Sequence, residues 1–256
     1  MEGATQLLGM LDAQLWHGFL VFLRVGAMIS LLPAFGEQSV PARIKLVIAL
    51  AFTAITAPAV PPLGNEPAFA ATITLVLTEV LSGLVLGIGV RLFIMALQTA
   101  GTIAAQSTSL SQILGGAGGE PLAAIGYVLT MGAIALAVMT GLHVKAAALI
   151  ILSYEFLPMG AFSAGADISD WGVSQVRRAF ELAFTLAAPF VLLSVIYNLA
   201  LGAINKAMPQ LMVAFVGAPV ITAGGLLVLC LASPLILAVW LDALDLFLAD
   251  PFRPIP

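Results

Sequence analysis

Three charged residues lie inside long apolar stretches of this sequence: Arg24, Glu79 and Arg91. A charged side chain at the centre of a bilayer costs about 2.5–3.5 kcal/mol even on the mildest scale, so each of the three needs an opposite charge, a hydrogen-bonding group or water. Glu79 and Arg91 are twelve positions apart. On one helix that spacing separates them by about 18 Å and about 120°, so they cannot pair with each other. We therefore expect partners from other helices or subunits at packing contacts, in preference to contact with a transported species.

Residue types that carry catalysis are sparse. His17 and His143 are isolated in the sequence, and neither HExxH nor GxSxG occurs. A single cysteine, Cys230, excludes an internal disulfide and a cysteine-based metal cluster, and we expect it to be buried. The basic residues are scattered, apart from the adjacent Arg177 and Arg178, so they form no patch for nucleic acid. The sequence thus predicts a protein with no catalytic residues, no metal, no cofactor and no nucleic-acid partner.

A glycine-rich segment, Ser109 to Glu120, reads SLSQILGGAGGE. It has no GK[ST] ending and follows no predicted strand, so it fits neither a P-loop nor a dinucleotide-binding turn. Its four glycines, which make the backbone permissive, are Gly115, Gly116, Gly118 and Gly119. On the residues alone, the segment is either a plain flexible connection or a moving lid.

Two stripes at helical spacing predict helix contacts. Gly83 and Gly87 follow Glu79 at i+4 and i+8, so they form a small-residue face that another backbone can approach closely. Asn198 and Gly202, with Asn205 three residues further, place two amides on an otherwise apolar face. Interhelical hydrogen bonds explain such amides, at about 0.6–2 kcal/mol each.

The elements that position these residues must lie in a membrane. The composition is 61% hydrophobic and 9% charged, whereas a soluble domain is about 45–50% apolar and about 25% charged. Apolar stretches cover residues 15–34, 44–62, 68–99, 121–153, 180–204 and 211–248. Each is long enough for the roughly 20 residues of a spanning helix. The sequence therefore predicts an all-α membrane protein with about six hydrophobic segments, which form long, broken helical hairpins.

The three longest segments exceed a bilayer, because 32 to 38 residues make a helix of roughly 48 to 57 Å against a hydrocarbon core of about 30 Å. Pro189, Pro219 and Pro234 lie within such runs and are expected to supply the breaks. Broken helices at membrane depth need protein or water around them, which favours a packed assembly. No linker divides the chain, so we predict a single helical membrane domain over residues 1–256.

The residues also resemble a known family, the FliR-type export-gate subunits of flagellar and type III secretion systems. The stretch from Arg24 to Pro62 is similar to the family's opening, in which an Arg-bearing helix leads to a VPxR turn. The stretch NLALGAINKAMPQLMVAFVGAP, residues 198–219, is similar to its NLxLGLLxR helix, PQ turn and closing GxP. The matching positions are Pro41, Arg43, Asn198, Gly202, Pro209, Gln210, Gly217 and Pro219.

The resemblance implies a subunit of a hetero-oligomeric gate, assembled with FliP-type, FliQ-type and FlhB-type subunits above a large export-apparatus subunit. Such a gate would conduct unfolded secreted proteins across the bacterial inner membrane, in contact with lipid, within the flagellar basal body. By position, the glycine-rich segment matches the family's pore plug, so its bulky side chains Leu110, Ile113 and Leu114 would seal the pore and its glycines would act as the hinge. A small-molecule secondary transporter and an intramembrane enzyme are the alternatives.

Overall fold

A computed structural model describes residues 2–62, 69–109, 124–161, 165–208 and 213–253. All regular secondary structure within these ranges is helical, which confirms the all-α prediction. The α-helices are α1 Glu2–Ile29, α2 Ala42–Thr56, α3 Phe69–Ser109, α4 Ala124–Met139, α5 Leu142–Phe156, α6 Gly165–Ala207 and α7 Val213–Ala249. A short 3-10 turn, Ala57–Ala59, follows α2.

Several of these helices are long and apolar enough to cross a membrane. Within the described residues, four helical segments meet this criterion, and the bent pair α4–α5 adds a fifth if it counts as one span. The four are Ala42–Ala59, Thr72–Thr108, Gly165–Ala207 and Pro219–Ala249. α1 is not among them, because polar residues such as Asp12 and His17 interrupt its apolar side chains. The 41, 43 and 37 residues of α3, α6 and α7 give lengths of roughly 55 to 65 Å.

The interruptions that we expected at the prolines are not found. α6 continues past Pro189, and α7 continues past Pro219 and Pro234. Each proline removes one backbone donor, and other groups in a packed membrane helix compensate for that loss. The fourth apolar segment breaks instead at Gly141, where α4 and α5 meet at 73°. Gly141 has a φ of 87°, a left-handed conformation that glycine adopts without a steric cost.

The described residues cluster into two compact units. Unit 1 comprises Met1–Leu92, Val138–Gln175 and Asp245–Pro256, and unit 2 comprises Phe93–Ala137 and Val176–Leu244. In unit 1, Val21, Val25 and Met28 are fully buried on one face of α1, at the spacing of a helical stripe. In unit 2, the buried Trp240 of α7 donates its indole N–H to the carbonyl oxygen of Phe93, at 2.8 Å. The single domain stays a prediction.

Candidate functional site

The charged residues of unit 1 meet in a buried cluster. Arg24 of α1 donates from Nε to Glu79 Oε2 and from Nη2 to Glu79 Oε1, each at 2.9 Å, across to α3. Both side chains have no exposed surface. The two-pronged contact matches the planar guanidinium to the carboxylate, which is the strongest geometry that an ion pair adopts in proteins.

Two further hydrogen bonds of Arg24 go to α5 and to the residue that follows it. Nη1 donates to Ser153 Oγ at 3.0 Å, and Nη2 also donates to the carbonyl oxygen of Leu157 at 2.8 Å. The guanidinium carbon lies 3.7 Å from the ring centroid of Tyr154, whose hydroxyl donates to Glu79 Oε2 at 3.1 Å. Four of the five N–H groups of the guanidinium are therefore paired. We call Arg24, Glu79, Ser153, Tyr154 and the Leu157 carbonyl the Arg24 cluster.

The Arg24 cluster is electrically neutral, and its two charged side chains have no exposed surface. Burying two charges carries a large desolvation cost, which is offset only where the geometry is good and most other donors and acceptors are paired, as four of the five guanidinium N–H groups are here. A path for a transported species needs charges that it can reach. With no exposed surface on Arg24 or Glu79, the cluster ties α1, α3 and α5 together and offers no such access within unit 1.

The small-residue face of α3 lies against α1 beside this cluster. A Cβ atom added at Gly83 would meet the backbone carbonyl of Arg24 and the Cβ of Ala27. A Cβ atom at Gly87 would come within 3.0 Å of Leu31 Cβ and 3.2 Å of the Met28 carbonyl oxygen. The glycines thus allow the close approach of the two helices that brings the Arg24 and Glu79 side chains together.

Arg91 has a different environment. Its Nη1 donates to Glu37 Oε1 at 2.6 Å, and the two side chains are 32% and 29% exposed. Glu37 lies in the turn between α1 and α2, where Lys45 Nζ also donates to the carbonyl oxygen of Gly36 at 2.9 Å. Sequence reasoning did not single out Glu37, although it is the only acidic residue between positions 13 and 65.

A third ion pair was also missed. Lys145 Nζ lies 2.7 and 2.8 Å from the two carboxylate oxygens of Asp245, which joins α5 to the last turns of α7 within unit 1. The sequence does indicate that Asp245 needs a partner, because it is an acidic residue in an apolar stretch. A pair that is one hundred positions apart cannot be matched without the fold.

The histidines and the cysteine do not form a site together in the described residues. His17 Nε2 lies 3.0 Å from the carbonyl oxygen of Ala57, a contact in which the ring N–H donates. Cys230 is exposed on α7, so the expectation that it is buried is wrong. The reason is that much of α7 is apolar yet uncovered: neighbours such as Leu227 and Leu231 are more than half exposed as well.

The family-motif positions fall at helix ends and on α6 and α7. Pro41 directly precedes α2, and Arg43 is exposed in its first turn, with no partner among the described residues. Gly217 of α7 packs so closely that an added Cβ would meet the Tyr197 hydroxyl of α6. Pro219 lies within α7. Pro209 and Gln210 lie outside the described residues.

The amide stripe of α6 is exposed. The side-chain nitrogen of Asn198 donates to the carbonyl oxygen of Ser194, one turn earlier, at 2.8 Å. Gly202 faces open space, and the side chain of Asn205 has no partner among the described residues. Six large apolar side chains of α6, each more than half exposed, form what we call the exposed face of α6: Phe180, Phe184, Leu192, Val195, Ile196 and Leu199.

The candidate plug lies outside the described residues. This applies to Leu110, Ile113 and Leu114 and to the four glycines from Gly115 to Gly119. The flanking helices are described: α3 ends at Ser109 and α4 begins at Ala124, both in unit 2. The segment therefore connects two helices of that unit, as the sequence predicts.

Comparison with known proteins identifies the family. The model of the bacterial export proteins, family 1, matches residues 15–247. The chain is 36% identical to the flagellar biosynthetic protein FliR of Caulobacter vibrioides over 91% of this chain and 96% of that protein. It is 30% identical to the FliR of Pectobacterium carotovorum (85% and 84%) and 29% identical to that of Escherichia coli K12 (91% and 88%).

The chain belongs to family 1 of the bacterial export proteins. It is a membrane-embedded subunit of the flagellar type III export apparatus. The resemblance stated from the sequence is confirmed over most of the chain, and the presence of further export-apparatus subunits around it follows from that membership.

Proposed function

We propose that this chain is an export-gate subunit that helps form the protein-conducting pore, through which unfolded flagellar proteins leave the cell. Its partners are FliP-type, FliQ-type and FlhB-type subunits and the large export-apparatus subunit, in the bacterial inner membrane. Its role is structural and not enzymatic. The observation that carries the proposal is the family match across residues 15–247, supported by relatives that the chain covers almost end to end.

The surface of unit 2 supports a gate built from several subunits. The exposed face of α6 leaves large apolar side chains uncovered, and Asn205 adds an amide without a partner among the described residues. Exposed apolar patches of this kind mark protein or lipid contacts. An amide with no partner is costly against hydrocarbon, which favours protein on this side.

Helix length supports the same arrangement. α3 and α6 are about twice as long as a bilayer requires. Parts of both helices must therefore tilt strongly or extend beyond the hydrocarbon core, where other subunits can surround them.

The two alternatives are less well supported. A secondary transporter needs polar groups that a solute can reach near the middle of the membrane, and the main charged pair of unit 1 is closed to solvent. An intramembrane enzyme needs a nucleophile next to a base. Among the described residues, the Tyr154 hydroxyl does lie against a carboxylate, but that carboxylate, Glu79, is already paired with Arg24 and has no exposed surface.

Copurification tests the proposal. A tagged chain produced with its neighbouring export genes should be isolated in a stable complex with FliP-type and FliQ-type subunits. Produced alone, it should aggregate or be degraded, because its apolar surfaces lack partners. A stable, monodisperse monomer in mild detergent would contradict the gate function, and solute binding by that monomer would favour the transporter.

We also propose that residues 110–119 plug the resting pore. A pore wide enough for an unfolded chain must be closed at rest, since it would otherwise leak ions. The segment joins α3 to α4, and its glycines give the backbone the freedom to move between closed and open arrangements. Leu110, Ile113 and Leu114 would pack against side chains of neighbouring subunits.

Deletion of Leu110 to Gly119 should leave the complex assembled and make cells permeable to small ions, measured as salt sensitivity and loss of membrane potential. A matched control replaces Leu110, Ile113 and Leu114 with serine, which keeps the length of the connection and removes its apolar bulk. If both variants assemble and the membrane stays tight, the segment is a simple connection and the seal belongs to the partner subunits.

A further inference from the structure

Unit 1 contains an apolar cavity lined by four helical or terminal segments. It has a volume of about 230 Å³, which exceeds the roughly 150 Å³ of a dry cavity that admits benzene. One wall is a stripe of α3 that includes Ser82 and Val85, and the others come from the end of α5, the start of α6 and the C-terminal segment. Aromatic rings supply much of that lining: Phe156, Trp171 and Phe252.

Two polar groups of the lining lack partners among the described residues. Asp167, in the first turn of α6, makes no ion pair or hydrogen bond there, and its side chain is exposed. Ser82 is buried and its hydroxyl bonds to no described group. A carboxylate at the opening and a hydroxyl on the wall give an otherwise apolar cavity two places for a polar ligand group.

The charge on the cavity lining is negative, because Asp167 is the charged residue among the described residues that line it. Glu79 also lies beside the lining residue Thr78, but it is neutralised by Arg24. The arrangement therefore favours a ligand whose head group is cationic and whose remainder is apolar.

We propose that this cavity holds one acyl chain of a phospholipid with an ammonium head group, with the ammonium facing Asp167. α3 and α6, which supply most of the lining, are both candidate membrane spans. Trp171, whose indole N–H donates to the carbonyl oxygen of Pro251 at 2.9 Å, belongs to the residue type enriched where helices leave the hydrocarbon. An acyl chain between the helices, with its head group at the acidic start of α6, fits that position.

A cationic peptide segment from a partner subunit is the competing occupant. It would need an extended apolar stretch next to a lysine or arginine. The lipid is favoured because the lining is almost entirely hydrocarbon and aromatic with a single carboxylate, so it offers an incoming peptide backbone few hydrogen-bonding groups.

Native mass spectrometry on the assembled complex tests the proposal. After delipidation, the complex is titrated with phosphatidylethanolamine or phosphatidylglycerol of the same acyl chains. The complex should prefer phosphatidylethanolamine. Asp167→Asn should lower that affinity about two- to fivefold, the effect of one exposed ion pair, and leave phosphatidylglycerol unchanged. Val85→Trp fills the cavity and should remove tight binding of both lipids.

Each variant has a matched control in the same helix. Asp170→Asn removes a neighbouring acid that does not line the cavity, and Leu77→Trp adds the same ring on an exposed position of α3. Both should bind lipid as the unchanged complex does. Unaltered lipid binding in Val85→Trp, or an unaltered head-group preference in Asp167→Asn, would overturn the proposal.

A photoreactive residue at Ser82 separates lipid from peptide and does not depend on the Val85 variant folding. Crosslinking to lipid supports the proposal, and crosslinking to a partner subunit refutes it. Since all measurements use assembled complexes, a negative result leaves the gate function untouched.

Discussion

The Arg24 cluster and the exposed face of α6 differ in how far their polar groups are paired within the chain. In the cluster, the guanidinium contacts a carboxylate, a hydroxyl, a carbonyl and a ring, all within unit 1 and all buried except the partly exposed ring. On α6, Asn205 has no partner among the described residues, and the apolar side chains around it are uncovered. One region is complete within the chain, and we propose that the other is completed by neighbouring subunits.

The contrast shows how to interpret polar residues in apolar helices. An unpaired charge in an apolar environment has a high free-energy cost before the subunits assemble, so this chain neutralises Arg24 internally. An amide is cheaper to expose and is available for interhelical hydrogen bonds during assembly. In this protein, the buried charges therefore indicate how the chain itself packs, and we propose that the exposed amides mark the side on which other subunits bind.

The largest effect is expected from Arg24→Met. The variant leaves Glu79 buried without a counter-charge, a change that destabilises by about 3–5 kcal/mol. The chain should disappear from the membrane fraction, as measured by immunoblot of cells producing the whole export complex.

The double variant Arg24→Met, Glu79→Leu sharpens this test, because an apolar pair of similar volume replaces the ion pair. It should restore most of the protein level. Arg177→Met is the control, since its pair with Glu181 is exposed and worth roughly 0.2–1 kcal/mol. If the double variant remains as unstable as Arg24→Met, the cluster does more than neutralise charge.

A glycine pair tests the same contrast through packing. In Gly83→Ala the new methyl group meets the backbone carbonyl of Arg24, and such overpacking costs about 1–3 kcal/mol. In Gly202→Ala the methyl group enters open space, so the helix itself should gain up to about 1 kcal/mol. The thermal midpoint of the solubilised complex should fall for Gly83→Ala. A similar fall for Gly202→Ala would show that a partner backbone packs against that glycine.

The sequence predicted which polar residues need partners and not which partners they have. Composition and segment length were sufficient for the all-α membrane fold, because few charged side chains in long apolar runs leave no other solution. The spacing of Glu79 and Arg91 excluded one pair correctly, as their actual partners show. Glu37, Tyr154 and Asp245 were not found, since contacts across 54 to 100 positions depend on how the helices pack.

Helix breaks show a second limit of the sequence. Proline is the strongest single-residue signal for an interruption, yet α7 continues past two prolines. The break at Gly141 depends on a left-handed backbone conformation, which many other glycines of this chain do not adopt. A glycine permits such a turn without requiring it, so the bend between α4 and α5 could not be predicted from residue types alone.

A smaller effect is expected from Asn205→Leu. The substitution removes an exposed amide and keeps the apolar character of its surroundings, so the isolated chain should be no less stable. If a partner helix bonds to this amide, its loss weakens assembly by about 0.6–2 kcal/mol per bond. The yield of intact complex in pull-downs at rising detergent concentration measures this. Val195→Leu, on the same helix and apolar in both forms, is the control, and an unchanged yield for Asn205→Leu would place this amide away from the subunit interface.

The smallest effect is expected from Arg91→Gln. The exposure of Arg91 is intermediate between that of the buried Arg24 cluster and that of the exposed face of α6. Its pair with Glu37 is about one third exposed, so water compensates much of the lost attraction and the cost should be about 0.2–1 kcal/mol. Glutamine keeps a donor for Glu37, which reduces the loss further. The thermal midpoint of the complex should fall slightly in the variant. Raising the salt concentration should lower the thermal midpoint of the unchanged complex towards that of the variant, because salt screens partly exposed ion pairs. A loss as large as that of Arg24→Met would mean that this pair is buried by another subunit in the assembled gate, and the turn between α1 and α2 would then belong with the surfaces that are completed from outside.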